Sequence, residues 1–214
     1  MTTKVKICGL NTEAALEAAL AGGADYVGLV FFPPSPRNVT PEAAKALAAK
    51  ARGRAKVVAL VVDADDARLD AVIAAAAPDL LQLHGEETPG RVAEIRRRWR
   101  TPVMKAIKVE TVEDARAALA YREAADLVLF DARAPADSTR PGGNGAPFDW
   151  RALLGVKDAV PFMLSGGLTP ENVAEAIRAT GAAIVDVSSG VETSPGEKDP
   201  ELIRRFLRAA KGQR

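Results

Sequence analysis

Short runs of β-forming, mostly apolar residues alternate with Ala-rich helical runs along the whole chain, and this alternation restricts the fold more tightly than any other feature. Strands are expected at Lys4–Cys8, Asp25–Phe31, Lys56–Val62, Asp79–His84, Val103–Val109, Asp126–Asp131, Phe162–Ser165 and Ile184–Val187. Most are near-continuous apolar runs, the pattern of strands buried on both faces. Helices are expected at Thr12–Ala21, Pro41–Ala51, Ala67–Ala76, Pro89–Trp99, Val112–Arg122, Pro170–Ala179 and Pro200–Ala210. Thr40-Pro41, Thr88-Pro89, Thr169-Pro170 and Asp199-Pro200 set the phase of the alternation. Each places a capping oxygen before a Pro at the first helical position, where the missing N–H costs nothing.

Strict alternation implies parallel strands joined by right-handed crossovers. Eight units of about 25 residues each imply an α/β fold, a (β/α)8 barrel forming a single domain over residues 1–214. An open doubly wound sheet is the fallback, although eight strands in 214 residues crowd it. After Asp131, the stretch ARAPADSTRPGGNGAPFDW is too rich in Pro and Gly for a helix. It reads as a long loop followed by a short helix at Asp149–Leu154.

Composition removes several other classes. A hydrophobic content of 48% with a formal charge of +1 permits a core and opposes disorder. One Cys excludes a disulfide scaffold. No run approaches the ~18 apolar residues of a membrane span. MTTKVKICGL lacks the apolar core of a secretory signal, so a cytoplasmic location is expected. Balanced charge opposes nucleic-acid binding. His, Cys, Asp and Glu form no cluster with metal-ligand spacing, and neither GxGxxG after a strand nor a Walker loop nor GxSxG is present. No metal and no nucleotide cofactor is therefore expected. Monomer and homodimer both remain open.

In a barrel of this kind chemistry belongs at strand exits. Ser165-Gly166-Gly167-Leu168 follows the seventh predicted strand and Val187-Ser188-Ser189-Gly190 the eighth. A lone Gly-Gly pair serves most simply as a tight turn. Small residues at both exits together point to a phosphate cradle of backbone N–H groups at Gly166, Gly167, Ser189 and Gly190. Cys8 ends the first strand. An isolated Cys is ordinarily a small buried hydrophobe, but one beside a cation can act as base or nucleophile. Lys6 has the parity to supply that cation. Asp131 ends the sixth strand with no helix start behind it to cap. It stands three strands from Cys8 around an eight-stranded ring, an arrangement suited to moving protons on a bound sugar. Arg37, in the Pro-stiffened FFPPSPRNVT, is either a solvated surface group or a fork for a carboxylate or phosphate. His84, the single His, shares parity with Gln82 and reads as structural or substrate-adjacent. Asp149 reads as a helix N-cap and Asp186 as a partner for interior polar groups, while Asp63 is a further carboxylate at the third exit.

The stretches KVKICGL, FFPPSPRNVT, LLQLHGEE, LVLFDARAPADSTRPGGNGAPFDW, FMLSGGLTPENVAEAI and AIVDVSSGVETSPGEKDPELIRRF occur in this order. Together they make the chain resemble the phosphoribosylanthranilate isomerases of tryptophan biosynthesis over nearly its full length. KICG, with SSGVE followed by GEKD, carries the resemblance; SGGL alone is common to many phosphate-binding barrels. The resemblance implies a cofactor-free barrel that converts N-(5′-phosphoribosyl)anthranilate to an aminoketose by an Amadori rearrangement. It implies Cys8 as general base, Asp131 as general acid and Arg37 as the anthranilate carboxylate's partner, with phosphate loops at Gly166-Gly167 and Ser189-Gly190. One departure stands out: where the family often has Gly-Gly-Thr-Gly-Lys, this chain has Gly142-Gly143-Asn144-Gly145-Ala146, with Arg140 the nearby cation. Two alternatives are another phosphosugar ketol isomerase or epimerase barrel and a non-catalytic phosphoanion-binding barrel. The first would not require Cys8 with Asp131, and its metal-dependent members would want more His. The second would need only the last two loops.

Overall fold

Eight parallel strands close on themselves in the computed structural model, which describes residues 2–133 and 148–212. They are β1 (Lys4–Cys8), β2 (Tyr26–Val30), β3 (Lys56–Val61), β4 (Leu80–Leu83), β5 (Val103–Val109), β6 (Leu127–Ala132), β7 (Phe162–Leu164) and β8 (Ile184–Val187). Each pairs with its sequence neighbours, and β8 returns to β1 through pairs such as Lys6 with Asp186. The expected barrel is therefore the observed one, and the open sheet is excluded.

The helices α1 (Glu13–Ala21), α2 (Pro41–Ala51), α3 (Asp66–Ala76), α4 (Pro89–Trp99), α5 (Val112–Arg116), α6 (Val173–Thr180) and α7 (Pro200–Lys211) surround the ring. Thr40, Thr88 and Asp199 cap α2, α4 and α7 as expected, each accepting a backbone N–H of the first turn ahead of or beyond a Pro at the start. Thr169 does not cap α6, which starts at Val173. The Asn172 Oδ1 accepts the Thr169 N–H at 2.8 Å, and its Nδ2 donates to the Gly167 carbonyl at 2.9 Å. These bonds tie the segment to the β7 exit, so the helix begins a turn later. The helix expected at Val112–Arg122 tightens into a 3₁₀ turn at Ala117–Tyr121. The short helix expected near Asp149 is also 3₁₀, at Trp150–Leu153, and Asp149 caps it as anticipated. A two-stranded hairpin, β9 (Glu192–Ser194) and β10 (Glu197–Lys198), sits between β8 and α7 and was not anticipated. Arg140, Ala146 and the rest of residues 134–147 lie outside the described residues. Among those described, no helix is long and apolar enough to cross a membrane.

Alternation of side chains divides the interior into layers. Tyr26, Val58, Leu80, Met104, Ala106, Leu129 and Met163 form an apolar plug inside the barrel. The outward-facing side chains of the strands pack beneath the helices in a larger core. At the N-terminal end one device recurs three times. Asp25, Asp79 and Asp126 each precede a strand and accept an N–H near the start of the preceding one, from Val5 (2.9 Å), Val57 (2.7 Å) and Val103 (2.9 Å). These carboxylates end the ladder where the strand has no further partner.

Asp79→Ala is expected to lower unfolding stability by about 1 kcal/mol in denaturant titration. It should leave any activity at the opposite end of the barrel intact.

Candidate active site at the C-terminal mouth

Above the apolar plug, the inward positions of β1, β4, β6, β7 and β8 become polar, while β2 and β3 keep Val30 and Leu60 there. On β1, Lys6 is fully buried, and its Nζ donates to Asp186 Oδ1 on β8 at 2.9 Å. The other Asp186 oxygen accepts the Ser165 hydroxyl at 3.0 Å. The role expected of Asp186, satisfying interior polar groups, is the one observed. Burial works against the Lys6 charge, but Asp186 and Cys8 outweigh it and hold the ammonium above its usual range.

Cys8 stands above Lys6 on the same strand, as parity requires. A Cβ on Gly28 of β2 would lie 3.0 Å from Cys8 Sγ and 3.2 Å from Lys6 Cε, so both side chains fill the space over that glycine. Burial is the strongest influence on the Cys8 thiol and pushes it up; the Lys6 charge pulls it down, but not by enough to reverse the shift. The cation expected beside Cys8 is present and acts in the expected direction, while desolvation dominates the net result.

Asp131 is buried at the end of β6, and its Oδ1 accepts the Ala132 N–H at 3.0 Å. His84, at the exit of β4, places Nε2 3.3 Å from Asp131 Oδ2. The Gln82 amide nitrogen lies 2.9 Å from His84 Nδ1. Among the described residues, His84 Nε2 and Gln82 Oε1 are buried and make no hydrogen bond within the chain. His84 thus stands next to the candidate acid. Lys108, opposite Asp131 in the β5–β6 register, pairs with Glu86 at 2.5 Å; sequence reading did not single it out.

The exits of β7 and β8 are packed against neighbouring backbone. Gly166 has φ +86, and a Cβ there would lie 2.3 Å from the Ala132 nitrogen; at Gly190 it would lie 1.9 Å from the Leu168 carbonyl oxygen. Only glycine fits either position. Ser189 and Gly190 form a 3₁₀ turn with Val191. Among the described residues, the N–H groups of Gly166, Gly167, Ser189 and Gly190 donate to no protein acceptor. Four backbone donors at adjoining exits have the make-up of an anion cradle.

Arg37 is buried rather than solvated. Its Nε and Nη2 each meet an oxygen of Glu192 at 2.7 Å, a two-point fork as expected, but with a carboxylate of this chain. Glu192 also accepts Lys198 Nζ at 2.5 Å. Sequence reading missed both, because the β9–β10 hairpin brings them to Arg37 from far along the chain, Glu192 from 155 residues away. Burial alone would raise Glu192, yet Arg37 and Lys198 outweigh it and hold the carboxyl below its usual range. Burial pulls the Lys198 ammonium down, with Glu192 opposing. Asp63 is absorbed by the neighbouring exit of β4: it has φ +46, and its carboxylate accepts the Glu86 N–H at 2.7 Å. Lys105 and Glu87 pair at 3.0 Å in a further buried network on the outer side of the barrel wall. Among the described residues no group of three or more His, Cys, Asp or Glu is placed to hold a metal.

Two outcomes follow. Gly190→Ala should cost about 2 kcal/mol or more of stability, because backbone on both sides blocks relief of the clash. Glu192 has a folded pKa below its unfolded value near 4.5, so its stabilisation is complete above that pH and fades as pH falls through the lower folded value. Glu192→Gln should therefore flatten the stability–pH curve below about pH 4.5, read by chemical denaturation across pH.

The chain matches the family model described as N-(5′phosphoribosyl)anthranilate (PRA) isomerase over residues 5–209. An N-(5′-phosphoribosyl)anthranilate isomerase of Rhodopseudomonas palustris (strain BisA53) is 59% identical over 211 residues, covering 99% of this chain and 97% of the relative. The solved phosphoribosyl anthranilate isomerase of Thermotoga maritima superposes with a TM-score of 0.89 at 36% identity, covering 98% of this chain and 99% of that one. A phosphoribosyl anthranilate isomerase in complex with reduced 1-(o-carboxyphenylamino)-1-deoxyribulose 5-phosphate gives a TM-score of 0.86 at 35% identity, with the same coverage. The chain belongs to the N-(5′-phosphoribosyl)anthranilate isomerase family.

Proposed function

We propose that this chain isomerises N-(5′-phosphoribosyl)anthranilate to 1-(2-carboxyphenylamino)-1-deoxyribulose 5-phosphate, with Asp131 as general acid and Cys8 as general base. The observation that carries this reading is the order of groups around the mouth. Asp131 ends β6, the four free N–H groups follow β7 and β8, Cys8 ends β1, and Arg37 follows β2. A phosphate held at the β7 and β8 exits leaves its ribose between an acid on one side and a base on the other. The aromatic carboxylate then reaches toward Arg37.

The chemistry follows from those positions. Protonated Asp131 donates to the furanose ring oxygen, and the ring opens to a Schiff base. The Asp131 carboxylate left behind has His84 Nε2 3.3 Å away, near enough for His84 to position the acid. Cys8 as thiolate removes the proton from C2′, and the enolamine tautomerises to the ketone. Lys6 favours the ionised thiol that this step requires. Arg37 serves the substrate carboxylate with the N–H groups that Glu192 leaves free. The reaction needs no redox partner, since one carbon is oxidised as its neighbour is reduced. A cytoplasmic location and a small-molecule partner accord with this reading.

Turnover of freshly generated substrate, followed by loss of anthranilate-type fluorescence, is the direct test. Cys8→Ser and Asp131→Asn are each expected to reduce kcat by about 10²–10⁴-fold while remaining folded. The wild-type kcat/KM should be bell-shaped in pH; a flat profile between about pH 5 and 9 would argue against an acid–base pair.

A further inference from the structure

Lys198 is unused by this mechanism, yet its side chain is wholly buried beside the base. Its Nζ has three acceptors: Glu192 Oε1 at 2.5 Å, the Ser188 carbonyl at 2.9 Å and Ser188 Oγ at 3.3 Å. Three acceptors match the three N–H groups of an ammonium and exceed the two of a neutral amine. The same Ser188 hydroxyl donates to the Cys8 carbonyl at 3.3 Å, so one group links Lys198 to the Cys8 backbone. Arg37 packs over Gly9, the residue after Cys8.

The charges around Cys8 do not balance. Lys6, Arg37 and Lys198 are met by two carboxylates, Asp186 and Glu192, both already paired. The remaining wall, formed by Val30, Leu60, Phe32 and Val62, is apolar. Asp131 lies toward β4, against His84. Before the substrate carboxylate reaches Arg37, a buried excess of one positive charge calls for an anion within the chain. We propose that Lys198 is a positioning residue whose ammonium, held by Glu192 and Ser188, is the counter-ion that makes the Cys8 thiolate the missing negative charge. The influence is mutual, since Lys198 pulls the thiol down and Cys8 raises the lysine. The inference rests on Cys8 being the base.

The single Cys makes the test direct. Thiolate absorbance near 240 nm is titrated on the whole protein without substrate, and the Cys8→Ser titration is subtracted to remove the tyrosines. Lys198→Met should move thiolate formation up by about one pH unit, and Lys198→Arg should restore it. Glu192→Gln, which removes a negative charge, should move it down. The acid limb of kcat/KM should shift in step, with up to a tenfold loss for Lys198→Met on that limb and little change in KM. If Lys198 only braces the hairpin, Lys198→Met loses stability while the thiol titrates as in wild type, and the proposal is overturned. Movement in the same direction in Lys198→Met and Glu192→Gln overturns it as well. If the titrations move as stated but the kinetic limb does not follow, the charge coupling stands and the role of Cys8 as base is what fails. Should Lys198→Met not fold, the opposite shift expected of Glu192→Gln decides.

Discussion

Closing eight parallel strands into a ring sends every second side chain of each strand toward one axis, and the rest of this molecule depends on that convergence. Lower in the barrel the converging side chains are apolar and fill the interior. At the C-terminal mouth they include Cys8, Lys6, Gln82, Asp131, Ser165 and Asp186, contributed by residues up to 180 positions apart. Closure therefore does two things at once. It removes sheet edges, and it gathers polar groups that could not meet along a helix or a single hairpin.

Burying this many polar groups is costly unless each finds a partner. The mouth meets much of the requirement through shared partners, while Gln82 Oε1 and His84 Nε2 are left without one. Asp186 serves Lys6 and Ser165, Glu192 serves Arg37 and Lys198, and His84 lies between Gln82 and Asp131. Such sharing fixes side-chain positions and leaves little rotational freedom, as proton transfer between fixed atoms demands. It also means that the state of one group depends on several others. Cys8 feels burial, both lysines and Asp186 together, and its ionisation belongs to the cluster rather than to the thiol alone.

Much of this was legible before any coordinates. The β1, β5 and β8 boundaries agree with the expected ones, and the Pro-marked starts of α2, α4 and α7 fall where local capping chemistry places them. Cys8 and Asp131 could be singled out because a strand end with no local task is visible in one dimension. The start of α6 was misplaced because Asn172 accepts the Thr169 N–H and donates back to Gly167 at the β7 exit, which outcompetes a local cap. The β9–β10 hairpin was missed because two- and three-residue strands leave no periodic trace.

The sequence by itself determined the period of the alternation, the parity of each side chain and the chemistry available at each strand exit. These are local properties, set by a few neighbouring residues and their backbone preferences. The tertiary structure decided which groups meet. That Arg37 grips Glu192, that Lys198 completes that pair beside Cys8, and that His84 faces Asp131 depend on ring closure and on how far each exit loop turns inward. Burial, which governs the thiol, was likewise decided only there, because desolvation depends on everything packed around a group and not on its neighbours in the chain.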